Sequence, residues 1–130
     1  MISITSKSPY ALAALVELHG YGDHGPVPIA ELARRREIPV QFLEQLFATL
    51  RRAGVLRSQR GVKGGYSFAR PAGEITVLEL VELLDGPVGQ EATGVFADAA
   101  DAARSVLGGA TVAEVAEAVA RAAGAPMYHI

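Results

Sequence analysis

The sequence predicts a mostly α fold interrupted by one small β-hairpin, and three observations carry that prediction. Apolar residues recur at three- and four-residue spacing in six separate stretches, the period of helices that bury one face. Between positions 55 and 69 the pattern shortens to two strand-like runs, 55–59 and 66–69. They are divided by Arg60-Gly61-Val62-Lys63-Gly64-Gly65, a tip rich in glycine and cations. Prolines, glycines and Thr-x-x-Glu boxes fall where such helices would have to start and stop.

Taken in order, Ser8 is the expected N-cap of a first helix with Pro9 at its first position. Ala11, Leu12, Leu15, Val16 and Leu18 form its apolar face, and Gly20 and Gly22 stop it. Pro28 opens a second helix with Ile29, Leu32 and Ala33 inward. Its end, Arg34-Arg35-Arg36, suits the helix dipole, and whether those arginines also reach a polyanion stays open. A tight turn through Glu37 and Ile38 leads to a third helix. There Val40, Leu43, Leu46, Phe47 and Leu50 share one stripe, and Gln41, Glu44, Gln45, Ala48, Arg51 and Arg52 lie opposite, before Gly54. Two short helices joined this way, followed by a basic hairpin, make a winged helix-turn-helix, here expected to occupy residues 1–86.

Pro71-Ala72-Gly73 then breaks the chain, and Thr76-Val77-Leu78-Glu79 is spaced as a reciprocal capping box for a fourth helix ending at Asp85 before Gly86-Pro87. Residues 88–93 read as a weakly patterned linker. Phe96, Ala99, Ala100, Ala103, Val106 and Leu107 form a stripe of small and apolar residues that lets helices approach closely, so this stretch is the expected dimerisation helix. Thr111 and Glu114 repeat the capping box and start a last helix, with Val112, Val115, Ala116 and Val119 on one side and Gly124 at its end. Linker, dimerisation helix, final helix and tail make up residues 87–130.

Composition narrows the function classes. Half of the 130 residues are apolar, enough for a packed core, and there is no cysteine, which removes disulfides, thiolate nucleophiles and cysteine-ligated clusters together. No signal segment and no run of the roughly 20 apolar residues needed to span a bilayer is visible, so no membrane is expected and a cytoplasmic, nucleoid-associated protein is. The net charge of −2 hides a division. Residues 1–70 hold ten Lys or Arg against five acids, +5, and residues 71–130 hold two against nine, −7. A basic half of this kind suits a polyanionic partner. No Ser-His-Asp arrangement, metal spacing or phosphate loop is present, and Glu79 and Glu114 are accounted for by capping, so no enzyme activity and no cofactor are expected. His19, His24 and His129 share no ligand spacing.

Several blocks carry a family resemblance: Phe42-Leu43-Glu44-Gln45-Leu46, Leu50-Arg51-Arg52-Ala53-Gly54-Val55-Leu56, and Ser58-Gln59-Arg60-Gly61-Val62-Lys63-Gly64-Gly65-Tyr66. With Tyr10-Ala11-Leu12 and Glu74-Ile75-Thr76-Val77, they resemble the Rrf2 family of bacterial winged-helix transcription regulators across nearly the whole chain. The resemblance implies a homodimeric repressor on double-stranded DNA with a near-palindromic operator, recognition helix in the major groove and wing in the adjacent minor groove. Gln41, Glu44 and Gln45 are the base-reading candidates, since Gln pairs with adenine and Glu accepts from the cytosine amino group. Arg60 resembles the family's minor-groove arginine. Lys63, the Gly64 and Gly65 backbone, Ser58, Arg51 and Arg57 are phosphate candidates. Tyr66 and Phe68 read as packing residues. Pro39 stands where the family has a capping serine, so that cap is absent.

The best-known branch of the family holds an iron–sulfur cluster on three cysteines, and this chain has none of them. Asp85-Gly86-Pro87-Val88 and the ending Met127-Tyr128-His129-Ile130 resemble instead the cysteine-free branch that represses cysteine and sulfur metabolism. That likeness gives the tail two readings: docking of the Ile130 carboxylate in O-acetylserine sulfhydrylase, or packing on the dimer's own surface. An alternative function for the whole chain is a protein-interaction regulator acting through this tail on a metabolic enzyme.

Overall fold

Ala11, Ala14, Leu15 and Leu18 lie on one face of the first helix, α1 (Lys7–Gly20), and all are buried. That stripe is the hub of the computed structural model, which describes residues 4–124. Around it pack α2 (Ile29–Arg36), α3 (Val40–Arg52), α4 (Val77–Asp85) and α6 (Val112–Gly124), while α5 (Val95–Gly108) lies chiefly against α4. Leu32 of α2, Leu43, Phe47 and Leu50 of α3, and Leu80 of α4 close the core. Each fully buried Leu or Phe contributes roughly 1.5–3 kcal/mol by leaving water.

The helix starts depart from the sequence reading in instructive ways. Ser8 does not cap α1, which begins two residues earlier with Ser6 at its N-cap. The Ser8 side chain is instead buried, and its hydroxyl donates to Asp85 Oδ2 at 2.5 Å while Thr5 donates to Oδ1 at 2.5 Å. Burial alone would raise the Asp85 pKa, but the hydrogen bonds from Ser8 and Thr5 hold it below its ordinary value. Pro28 and Pro39 precede α2 and α3 without any side-chain cap. Val40, expected in the buried stripe of α3, is 38% exposed because it sits in the first turn, ahead of the core.

Between α2 and α3 the chain turns through Glu37 in the left-handed region, φ 55°, and Ile38 N–H closes on Ala33 O at 2.9 Å. A non-glycine residue there costs about 1–2 kcal/mol. Burial of Ile38 against the core offsets it.

The hairpin pairs β1 (Leu56–Gln59) with β2 (Gly65–Phe68), Leu56 facing Phe68 and Gln59 facing Gly65. Val27, in the loop before α2, adds a third pairing: Val27 N–H donates to Tyr66 O at 2.9 Å and Tyr66 N–H to Val27 O at 2.8 Å. This approach is possible because residue 65 has no side chain. A Cβ on Gly65 would lie 2.3 Å from the Val27 backbone, and its φ of 149° is one that other residues rarely adopt. At Gly64 a Cβ would meet Gln59 O at 2.2 Å.

A short 3-10 turn (Ala72–Glu74) leads to α4. Thr76 caps α4 as expected, accepting from Glu79 N–H at 3.1 Å, but the box is not reciprocal: the Glu79 carboxylate is taken by Arg70 at 2.6 and 3.1 Å. Thr111 and Glu114 make both bonds of theirs, at 3.0 and 3.1 Å. The two caps lie side by side, because Thr76 and Thr111 form a bridge in which Val77 N–H reaches Ala110 O and Val112 N–H reaches Ile75 O, each at 2.9 Å.

The 86–94 segment is more ordered by packing than its sequence suggests. Val88 and Gly89 are buried, Gly89 lies so close to α5 that a Cβ would meet Ala100 Cβ at 2.2 Å, and Arg104 of α5 donates to the Val88 carbonyl. The expected dimerisation stripe is thereby divided. Ala100 is buried and Ala103 and Leu107 are half-buried on this subunit, whereas Phe96, Ala99 and Val106 remain exposed. Val95, Ala99, Ala102 and Val106 recur at four- and three-residue spacing on the open side. Gly86, φ 88°, ends α4.

Gly65→Ala should lower stability by more than about 2 kcal/mol in denaturant unfolding, since both the contact and the dihedral oppose it. Asp85, its folded pKa depressed, stabilises the fold above its unfolded pKa and loses that contribution as pH falls through the folded value. Melting followed below about pH 4 should therefore show a steeper loss for the unmutated protein than for Asp85→Asn, which starts lower at neutral pH.

Candidate nucleic-acid interface

On α3 the core stripe points inward and leaves Gln41, Glu44, Gln45 and Arg51 exposed on the outward side. The wing is fixed to the same helix by an edge-on contact of the Phe47 and Tyr66 rings, centroids 5.1 Å apart, and by the Val27–Tyr66 bridge. Helix face and hairpin are thus held as one body. At the hairpin tip Gly64 N–H closes on Gly61 O at 3.0 Å, a tight turn that displays Arg60, Val62 and Lys63 to solvent. Ser58 is exposed on β1. Gly64 and Gly65 are half-buried, and the close approach they permit is used within the chain, by Gln59 and Val27.

The ion pairs sort the cations of the basic half. Arg34 pairs with Glu31 at 2.6 Å, Arg35 with Glu31 at 3.3 Å and Glu17 at 3.8 Å, and Arg36 with Glu17 at 3.5 Å. The hydrogen bond from Arg34 holds the Glu31 carboxyl below its usual pKa, and the hydrogen bond to Glu31 raises that of Arg35. Arg70 is pulled up likewise by its hydrogen bond to Glu79. No such pair forms, among the described residues, at Lys7, Arg51, Arg52, Arg57, Arg60 or Lys63. Arg52 only donates to Thr49 Oγ1, at 3.2 Å. Arg35 and Arg36 therefore tie α2 to Glu17 of α1, while Arg34 pairs with Glu31 inside α2. The pairs within α2 are legible in the three- and four-residue spacing of Glu31 from Arg34 and Arg35, and the tie to α1 is not.

Tyr66 and Phe68 pack as expected, Phe68 edge-on to His19 at 6.4 Å. Two residues that the sequence reading left without a role lie beside α3: Lys7, which shares a cleft with Phe42, Gln45 and Thr49, and Tyr10, whose ring stands edge-on to Phe42 at 5.7 Å. They are more than 30 positions from their neighbours, so no local pattern could place them. Met127, Tyr128, His129 and Ile130, the candidate partner-binding tail, lie outside the described residues. No helix among the described residues is long and apolar enough to cross a membrane.

Comparison with known proteins places this geometry. Residues 4–93 match Rrf2, described as an iron-dependent transcriptional regulator. The HTH-type transcriptional regulator IscR of Xenorhabdus nematophila is 41% identical over 85 residues, 65% of this chain and 52% of that protein, so the chain spans about half the length of the curated relatives it matches. Among solved structures, IscR of T. potens superposes with a TM-score of 0.84 at 29% identity, over 98% of this chain and 97% of that one. CymR of B. subtilis, described as the global cysteine regulator, gives 0.81 at 28% identity, over 90% and 98%.

Among the described residues there is no donor set for the iron of that family description. The chain has no cysteine, and no group of three or more His, Asp or Glu residues able to hold a metal ion occurs among the described residues. The 86–94 segment is held by Arg104 and Ala100 instead. With the fold of its solved neighbours and a family match over more than two thirds of its length, the chain belongs to the Rrf2 family.

Proposed function

We propose that the protein binds double-stranded DNA as a homodimer and represses transcription from a near-palindromic operator. One observation carries the reading: the exposed cations of α3 and the hairpin have no carboxylate partner among the described residues, while those of α2 are paired with Glu17 and Glu31. A surface that keeps its positive charge free suits phosphate contacts and counterion release. In this reading Gln41, Glu44 and Gln45 contact base edges in the major groove, and Arg60 enters the minor groove. Arg51, Arg57, Ser58 and Lys63 hold phosphates, whereas Gly64 and Gly65, expected to join them, spend their close approach inside the chain. The open side of α5, with Phe96, Ala99 and Val106 and the neighbouring Val95, meets a second copy. Two-fold symmetry then sets half-sites about 34 Å apart, one helical turn.

A narrower reading assigns the operator to cysteine and sulfur metabolism. It is supported by the likeness to CymR over nearly all of that chain, and by the lack of cysteine here. Within it, the tail ending at Ile130 docks in O-acetylserine sulfhydrylase and reports the metabolic state. Recovery of that enzyme equally well by protein with and without residues 127–130 would remove the docking step. A regulator acting through its tail alone is not favoured, because the free cations of α3 and hairpin would then serve nothing.

The test is genome-wide binding of the tagged protein, followed by titration of the best site in rising salt. Enrichment of a palindrome supports DNA regulation, and its position relative to sulfur genes decides the narrower reading. Arg60→Ala should weaken binding by about 1–3 kcal/mol and flatten the salt dependence. Glu44→Ala should change the preferred base at one position and leave the slope alone. Val106→Glu, which places a charge on the open side of α5, should yield monomers by sedimentation and lose the palindrome while keeping the melting transition.

A further inference from the structure

We propose that the first turn of α1 is an additional DNA contact, in which Lys7 and Tyr10 grip the sugar-phosphate backbone beside the groove faced by α3, and that Asp85 is the positioning residue for that turn. The inference rests on the DNA-binding reading above and extends it to residues outside the helix-turn-helix and the wing.

Lys7 and Tyr10 are three positions apart in one helix and so share a face. Both are exposed, Tyr10 by 40%. The tyrosine ring stands edge-on against Phe42, which follows Gln41 in α3, and its hydroxyl makes no hydrogen bond to another described residue. Lys7 lines a cleft of about 150 Å³ together with Gln45 and Thr49, on the same shoulder of α3 as the base-reading candidates. It forms no ion pair among the described residues, although Asp85 lies near enough to be stabilised by its charge. A free ammonium and a free phenol beside a recognition helix are the donor types that phosphate oxygens accept from, the first as a point charge and the second as a neutral donor.

What fixes this turn is at the far end of α4. Thr5 and Ser8 both donate to the Asp85 carboxylate, and Lys7 N–H, between them, donates to Thr5 Oγ1 at 3.2 Å. With both carboxylate oxygens occupied by hydroxyls, Lys7 is left to solvent rather than drawn into a salt bridge. Asp85 touches no expected DNA contact itself. It immediately precedes Gly86 and the segment clasped to α5, so the α5 end of the fold and the α1 contact meet at this one carboxylate.

The experiment uses the full chain and the duplex that the unmutated protein selects from a randomised pool, titrated across salt concentrations. Lys7→Gln should weaken binding roughly three- to tenfold and reduce the salt slope by about one unit, as expected for one lost phosphate contact. Tyr10→Phe should weaken it about threefold with the slope unchanged. Asp85→Asn should weaken binding in the unmutated background and add nothing in the Lys7→Gln, Tyr10→Phe background, which a merely structural loss would not do. Ser8→Ala, which leaves the carboxylate in place, should behave in the same direction. Arg121→Gln, at an exposed cation on α6 that has no ion pair among the described residues, should change neither affinity nor slope. Lys7→Gln with unaltered affinity and slope overturns the contact. An Asp85→Asn effect of full size in the doubly substituted background overturns the positioning role. If Arg60→Ala weakens binding while Lys7→Gln does not, this inference alone fails; if the unmutated protein shows no salt-dependent binding, the DNA reading fails with it.

Discussion

The exchange of two backbone hydrogen bonds between Val27 and Tyr66 is the constraint on which the basic surface depends. A two-stranded hairpin alone is marginal in water and free to swing. Here the loop before α2 serves as a third strand position, and Tyr66 is pressed on Phe47 of α3. Hairpin and recognition helix consequently keep one relative orientation. The chain can make this exchange only because position 65 is glycine, so a residue whose composition looks suited to a flexible tip is in fact required where the wing is most rigid.

The sequence revealed the architecture well because the signals there are periodic or covalent. Helical spacing, Gly54 and Gly86 stops, and the glycine-rich hairpin each depend on neighbouring residues, and the elements appear within a few positions of expectation. What escaped was competition between distant groups. Ser8 has the chemistry of an N-cap, but Asp85, 77 positions away, offers its hydroxyl a charged acceptor. Thr76-Glu79 and Thr111-Glu114 have the same spacing, yet Arg70 takes the first glutamate out of its box and nothing takes the second. The α5 stripe was legible as apolar, but its division between this subunit's linker and open solvent depends on where residues 88 and 89 fold back.

Charge placement shows the same limit from another side. The sequence shows that the first half is basic; it does not show which cations are free. Folding pairs the α2 arginines with Glu17 and Glu31, joining α2 to α1 through Glu17, and among the described residues leaves unpaired the cations on α3, the hairpin and the first turn of α1. Exposed ion pairs of this sort add little stability, a median of about 0–1 kcal/mol. Their larger effect is to concentrate the remaining field on one surface, where it steers a polyanion.

The bridge between Thr76 and Thr111 closes the intervening chain on itself: it runs through α4, which packs into the core, goes out through residues 86–94 and α5, and returns beside its starting point at the start of α6. Lengthening a loop whose ends are already anchored costs little, because closure entropy grows only with the logarithm of its length. Evolution can therefore rewrite the stretch from residue 86 to α5 in length and packing, while the anchored base and the surface beyond it keep their geometry. In this chain the stretch is filled by a glycine against an alanine and an arginine on a carbonyl, and descendants could vary it without relearning how to fold.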